Sequence, residues 1–318
     1  MVKKMTGRII KKAQSLFLLL LSPFLLIIER RLYGGLFPEE GSALAPIFIV
    51  GAPRTGSTIL YQAITNRFKV SYIDNLASLF YRNLRFGIWL SKKKYGDEPH
   101  NNFRAEFGNT NKFGGHAPSE CGEFWYRWLS RKHHYADSLS VSNRAKRKIR
   151  REVLGVSKKY GQPFVFKNLN AGQRLKLIAD IFPDAKILFV RRDPVFVVRS
   201  ILKAREKLGV PPGQWWSVRP VNFRSLLDLG EVEMCAAQVH YLESQIISDI
   251  GLFDENNVRT IHYDDFSDDL VASLGSWLGL RKREGAVSPD FRDDERFKLS
   301  AEELRSLQEA VSSVGENK

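Results

Sequence analysis

Two stretches of the chain hold residue types and spacings that suit anion chemistry. In the first, the apolar run Ile47-Phe48-Ile49-Val50 stops at Gly51-Ala52 and continues as Pro53-Arg54-Thr55-Gly56-Ser57-Thr58, ahead of the helical pattern Ile59 to Ile64. A buried strand, a tight turn and a helix start are predicted there, and helix-start N–H groups aimed at one point form a phosphate cradle. The pattern G-x-x-x-x-G-K-[ST] of nucleotide hydrolases needs a lysine after its second glycine, but Ser57 stands there, leaving Arg54 as the cation of the turn. In the second, the apolar strand Lys186 to Val190 runs into Arg191-Arg192-Asp193-Pro194 and, two helical turns after Asp193, Ser200. Asp193 is suited to cap a helix and Pro194 to begin it, so Arg192 and Ser200 converge on a second anion. A ligand with two separated phosphates fits this pair of cradles.

The elements that must position these groups read as strands alternating with helices. Lys69–Ile73, Pro163–Lys167, Lys186–Val190 and Val258–Tyr263 have strand character, and Gly172–Phe182 and residues 231–250 have helical periodicity. Such alternation predicts an α/β fold with a central parallel sheet flanked by helices, its ligands at the carboxyl ends of the strands. Asn143 is expected to cap a basic helix carrying Arg144 to Arg151, and Ser300-Ala301-Glu302-Glu303 has capping-box spacing. Among the aromatics, Trp125 and Trp128 fit a core, whereas Trp215-Trp216 in a Pro/Gly loop suit a lid.

With 318 residues, 43% of them hydrophobic, the chain is long enough for one substantial domain, taken as residues 41–318. A net charge of +14 implies an anionic partner, yet the basic residues are dispersed and match no nucleic-acid module. Cys121 and Cys235 are the sole cysteines, which fits a reducing, cytoplasmic setting, and the six histidines lack metal-ligand spacing. Residues 1–40 form a separate basic and apolar segment: Lys3, Lys4, Arg8, Lys11 and Lys12 precede the uncharged run Ala13–Ile28. That run is shorter than a bilayer span, and a signal peptide, a short anchor and an apolar helix lying on a membrane or on the protein all remain open. Membrane contact, where it occurs, would run through residues 9–28.

Taken together, the motifs resemble those of sulfotransferases that use 3′-phosphoadenosine 5′-phosphosulfate (PAPS). That family's 5′-phosphosulfate loop matches Pro53, Arg54, Thr55, Gly56, Ser57 and Thr58, and its 3′-phosphate motif matches Arg192, Asp193, Pro194 and Ser200. Tyr263-Asp264-Asp265-Phe266 and Trp277-Leu278-Gly279-Leu280 resemble a third family element, so the likeness covers roughly residues 46–280. The resemblance implies a P-loop type sheet and transfer of a sulfuryl group from PAPS, without a metal, to a hydroxyl or amine of a carbohydrate, lipid or small molecule. It further implies that Lys167, at a strand end, stabilises the departing oxygen. A base for the acceptor is implied as well, and the family's patterns point to Glu120, His116 or Asp74. The rival readings are a P-loop nucleotide kinase or ATPase, which would need a lysine at position 57, and a non-catalytic anion- or membrane-binding protein of the same fold.

Overall fold

The computed structural model describes residues 2–34, 44–291 and 299–316. In chain order its elements are α1 (Val2–Leu32), β1 (Ile47–Val50), α2 (Ser57–Arg67), α3 (Asn75–Ser78), α4 (Leu84–Tyr95), α5 (Gly122–Trp125), α6 (Asn143–Tyr160), β2 (Val165–Lys167), α7 (Leu175–Ile181), β3 (Lys186–Arg191), α8 (Pro194–Leu208), α9 (Glu231–Ile250), β4 (Val258–His262), α10 (Asp268–Trp277) and α11 (Ala301–Glu316). The strands form one parallel sheet in the order β2-β1-β3-β4. β1 is central and buried throughout, with Phe48 in register with Phe166 on one side and Ile187 on the other.

Because side chains alternate across a strand, each strand feeds two cores. Phe48, Val50, Phe166, Ile187 and Phe189 point into one layer, against residues of α4, α6 and α7. Ile47, Ile49, Val165, Leu188 and Val190 point into the other, against Leu60, Ile64, Val271 and Leu274 of α2 and α10. A third cluster joins α8, α9 and α11 through Val197, Ile201, Val239 and Leu307. Covering both faces with helices leaves the carboxyl edge of the sheet as the place where several strand ends meet.

Three local expectations change. Lys69–Ile73 is not a continuous strand: Lys69 N–H donates to Arg281 O, whereas Ser71 N–H donates to Pro163 O and Ser71 O accepts from Val165 N–H. The segment is therefore tied to different neighbours at successive residues, leaving single bridges at Phe68–Lys282 and Ser71–Phe164. The 172–182 helical pattern is realised only from Leu175, after a 3-10 turn over Leu169–Arg174. The cap of α6 is Ser142, whose hydroxyl accepts from Ala145 N–H, and Asn143 is the first helical residue. The expected boundary between residues 40 and 41 lies outside the described residues. No described helix is long and apolar enough to cross a membrane.

Candidate active site

Steric demands fix the 51–58 turn. An added Cβ at Gly51 would lie 2.5 Å from Val190 O, so only glycine lets the turn leave β1 pressed against β3. Gly56 caps α2 at φ +91°, and a Cβ there would lie 2.3 Å from the Tyr263 ring. Arg54 also has positive φ, at 70°, a conformation that costs a non-glycine residue about 1–2 kcal/mol. Thr55 Oγ1 donates to Ala52 O at 2.9 Å and holds the turn closed. The N–H groups of Ser57 and Thr58 open α2, where helix geometry supplies no acceptor for them.

The second cradle is assembled beside the first. Asp193 accepts from Val195 N–H at 2.9 Å and Pro194 begins α8, so the cap forms as the sequence predicts. Arg54 Nε donates to Ser200 Oγ at 2.9 Å, joining the phosphate loop to the serine of the second motif. The two consecutive arginines at the end of β3 diverge: Arg191 pairs with the buried Glu243 at 2.9 Å, while the Arg192 guanidinium stacks 4.5 Å from the Tyr263 ring. Arg54, Ser57, Thr58, Lys167, Arg192 and Tyr263 line one cavity of about 380 Å³. That volume lies within the usual range of small-ligand sites.

Lys167 ends β2 on the same edge, buried, with its Nζ in an ion pair with Glu120 Oε1. The other carboxylate oxygen of Glu120 accepts from Leu169 N–H at 3.1 Å. A Cβ on Gly108 would sit 3.2 Å from Thr58 Oγ1 and 3.8 Å from both Glu120 Oε1 and Lys167 Nζ. The phosphate-loop hydroxyl, the lysine and the carboxylate thus face one point, under a tight turn in which Glu106 and Asn109 exchange both backbone hydrogen bonds. Phe107 and Gly108 at its tip both have positive φ, and the Phe107 ring lies 6.0 Å from the Arg54 guanidinium. Trp216 lines the cavity too, whereas Trp215 turns away, donating Nε1–H to Val218 O and packing on Phe223.

Asp74 and His116 lie elsewhere, in a buried polar cluster. Asp74 caps α3, accepting from Ala77 N–H at 2.7 Å and from the Ser91 hydroxyl, and burial pushes its carboxyl up to about 6. The His116 ring stacks on Tyr95 with centroids 4.2 Å apart, and His100 touches Thr65 Oγ1 and Gln62 O. Burial lowers both imidazoles to about 4. An ordinary histidine titrates near about 6.5, so between there and pH 4 the unfolded chain binds more protons than these two folded imidazoles, and acidification destabilises the fold. Asp74 acts in the opposite sense over the same window, since its folded carboxyl protonates first. Within this cluster two imidazoles stand against one carboxyl, so its balance is a loss of stability as the pH falls from about 6.5 to 4. Urea midpoints measured across that window should fall less steeply in His116→Phe, which keeps the stack; equal slopes would exclude the effect.

Some residues around the cavity carry no signal in the sequence as site residues. Phe107 and Gly108 belong to a stretch without periodicity. Tyr263 is visible only as part of the third motif, and its packing on Gly56 and Arg192 is a tertiary fact. Among the described residues, no three His, Cys, Asp or Glu side chains gather so as to hold a metal ion.

A sulfotransferase family model matches residues 46–280. Among curated proteins, none matches significantly. Solved structures with a similar course include the Mycobacterium tuberculosis H37Rv sulfotransferase STF1, at 13% identity and TM-score 0.46, covering 85% of this chain and 77% of that one. The sulfotransferase domain of the Synechococcus PCC 7002 olefin synthase is similar at 12% identity and TM-score 0.42, covering 88% and 96%. Mycobacterium avium sulfotransferase STF9 is similar at 16% and 0.41, covering 86% and 69%.

Proposed function

The chain belongs to the sulfotransferase family, and from that premise we propose that it transfers a sulfuryl group from PAPS to a hydroxyl-bearing acceptor, a carbohydrate or a lipid. The observation that supports the choice of donor is that Arg54 of the first cradle and Arg192 of the second line one cavity, with Arg54 Nε bonded to Ser200 Oγ of the second motif. The residues fit such a ligand. Pro53, Arg54, Thr55, Gly56, Ser57 and Thr58 hold the 5′ end through backbone N–H groups, hydroxyls and one guanidinium. Arg192 and Ser200 hold the 3′-phosphate, with the Tyr263 ring stacked against Arg192.

When bound, PAPS supplies a sulfuryl group whose departure leaves negative charge on a phosphate oxygen. Arg54, Lys167 and the opening N–H groups of α2, all at the wall of the cavity, neutralise that charge. Glu120 takes the acceptor proton in this reading: its carboxylate pairs with Lys167, which lines the cavity next to the phosphate loop. Asp74 and His116 serve structure, capping α3 and filling a stack. Sulfuryl transfer balances as the S–O bond to the leaving phosphate breaks, the S–O bond to the acceptor forms and the acceptor proton passes to Glu120. No metal takes part.

Residues 41–318 form the transferase domain in this reading, and residues 1–40 are an appendage to it. Two buried free cysteines suit a reducing cytoplasm. The test is incubation with sulfur-labelled PAPS and a panel of hydroxyl acceptors. Label should move to at least one carbohydrate or lipid without added divalent metal. Binding of the donor with no transfer to any hydroxyl or amine would favour a non-catalytic anion-binding role instead.

A further inference from the structure

One long element is unexplained by sulfuryl transfer. α1 is fixed to the body along a single stripe of positions three and four residues apart. Ser22 Oγ donates to Asn83 Oδ1 at 2.7 Å, Leu25 is buried, Glu29 accepts from Phe86 N–H at 3.0 Å, and beyond the helix end Tyr33 OH donates to Arg85 O at 3.0 Å. That spacing leaves the remainder of the helix circumference outside, and there it carries Leu16, Phe17, Leu20, Phe24, Ile27 and Ile28, with Leu20 and Phe24 each 66% exposed. Singly exposed apolar residues are ordinary, but a contiguous ridge of this kind marks a surface meant to be covered.

Charge identifies what covers it. From residue 1 to residue 28 the sequence has no Asp or Glu; Lys3, Lys4, Arg8, Lys11 and Lys12 precede the apolar run, and exposed Arg30 and Arg31 follow it. The acid nearest the run, Glu29, is turned inward. A second copy of the chain laid on this ridge would bring like charges together, whereas an anionic lipid surface complements them. Beside α1, α4 adds Phe86 and Trp89, rings 5.5 Å apart, with Lys93 Nζ 5.4 Å from the Trp89 ring. Aromatic rings next to lysines suit the boundary between headgroups and acyl chains. Because the helix does not qualify as a span, the fitting geometry is one that lies in the plane of the interface.

We infer that α1 is an in-plane membrane anchor, seating its Leu16–Ile28 ridge in an anionic lipid surface while its Ser22–Glu29 stripe holds the catalytic body. The anchor is independent of the sulfuryl-transfer reading, and its failure would leave transfer to a soluble acceptor untouched.

The test is flotation of the full chain with phosphatidylcholine vesicles with and without phosphatidylserine. The protein should float with the anionic vesicles, less so without phosphatidylserine, and less as salt rises. The double variant Leu20→Glu/Phe24→Glu should lower the bound fraction by about tenfold or more at an unchanged melting temperature, because both side chains face solvent. Lys11→Glu/Lys12→Glu should remove most of the preference for phosphatidylserine. Wild-type protein that stays unfloated with anionic vesicles overturns the inference, as does equal flotation of the Leu20→Glu/Phe24→Glu variant. A wild-type dimer by light scattering that this variant makes monomeric, with no flotation, would assign the ridge to a second copy and also overturn it.

Discussion

Glu120→Gln is expected to lower kcat by about 10²- to 10⁴-fold while affinity for adenosine 3′,5′-bisphosphate stays close to that of the wild type. Glutamine keeps the size of the side chain and an oxygen to accept from Leu169 N–H, but it cannot take up the acceptor proton. Its second effect falls on Lys167, which is buried and loses the carboxylate it pairs with. A buried charge left without its partner costs stability, so the variant should also melt lower than the wild type. Two readouts separate these effects. Lys167→Met should reduce kcat by about 10²- to 10³-fold through loss of charge stabilisation at the leaving oxygen. Because the two side chains act on one transfer event, the double variant should lose less than the product of the single losses. Full turnover in Glu120→Gln would remove it from the role of base.

Arg192→Ala carries the second large effect, and it falls on binding. A guanidinium aimed at a phosphate contributes about 1.5–3 kcal/mol, so affinity for adenosine 3′,5′-bisphosphate should drop by about 10- to 150-fold. Affinity for adenosine 5′-monophosphate, which lacks the group Arg192 is assigned to hold, should barely change. The selectivity between these two ligands is the measured quantity, and calorimetric titration of both ligands against both proteins yields it. Loss of affinity for the two ligands alike would mean that Arg192 supports the fold of the cavity through its contact with Tyr263 and does not read the 3′-phosphate.

What the sequence made legible is what local chemistry dictates. The β1 strand, the 51–58 turn and the Asp193-Pro194 start of α8 depend on neighbours within a few residues, and they form where pattern and capping rules place them. The sequence singles out Arg192 by its place before Asp193-Pro194, while the pairing of Arg191 with Glu243 is a tertiary fact. The choice among Glu120, His116 and Asp74 was not. All three lie in or near turns, and only the folded chain shows that Glu120 reaches Lys167 across 47 residues while the other two are enclosed by Ser91, Tyr95 and Tyr72.

Other features escaped for the same reason. Phe107 over Arg54 depends on a turn with two consecutive positive φ angles, and Phe at such a place gives no local cue. The 69–73 segment has strand composition but meets the sheet at one residue, because its neighbours pair outward to Arg281. Adjacent Trp215 and Trp216 cannot share one face, but which of them lines the cavity is set by tertiary contacts, since Trp215 is held by Val218 O and Phe223.

Whether one adenosine ligand bridges the Arg54 and Arg192 cradles is read from thermal stabilisation of the full chain by adenosine 3′,5′-bisphosphate compared with magnesium-ATP. A ligand present at 100 times its Kd adds about 2.7 kcal/mol, enough to raise the melting temperature by several degrees. The bisphosphate is predicted to give that shift and magnesium-ATP to give little at the same concentration, because Ser57 stands where the hydrolase lysine would reach the outer phosphates. Stabilisation by magnesium-ATP with none by the bisphosphate would mean that the two cradles do not grip one bisphosphorylated adenosine.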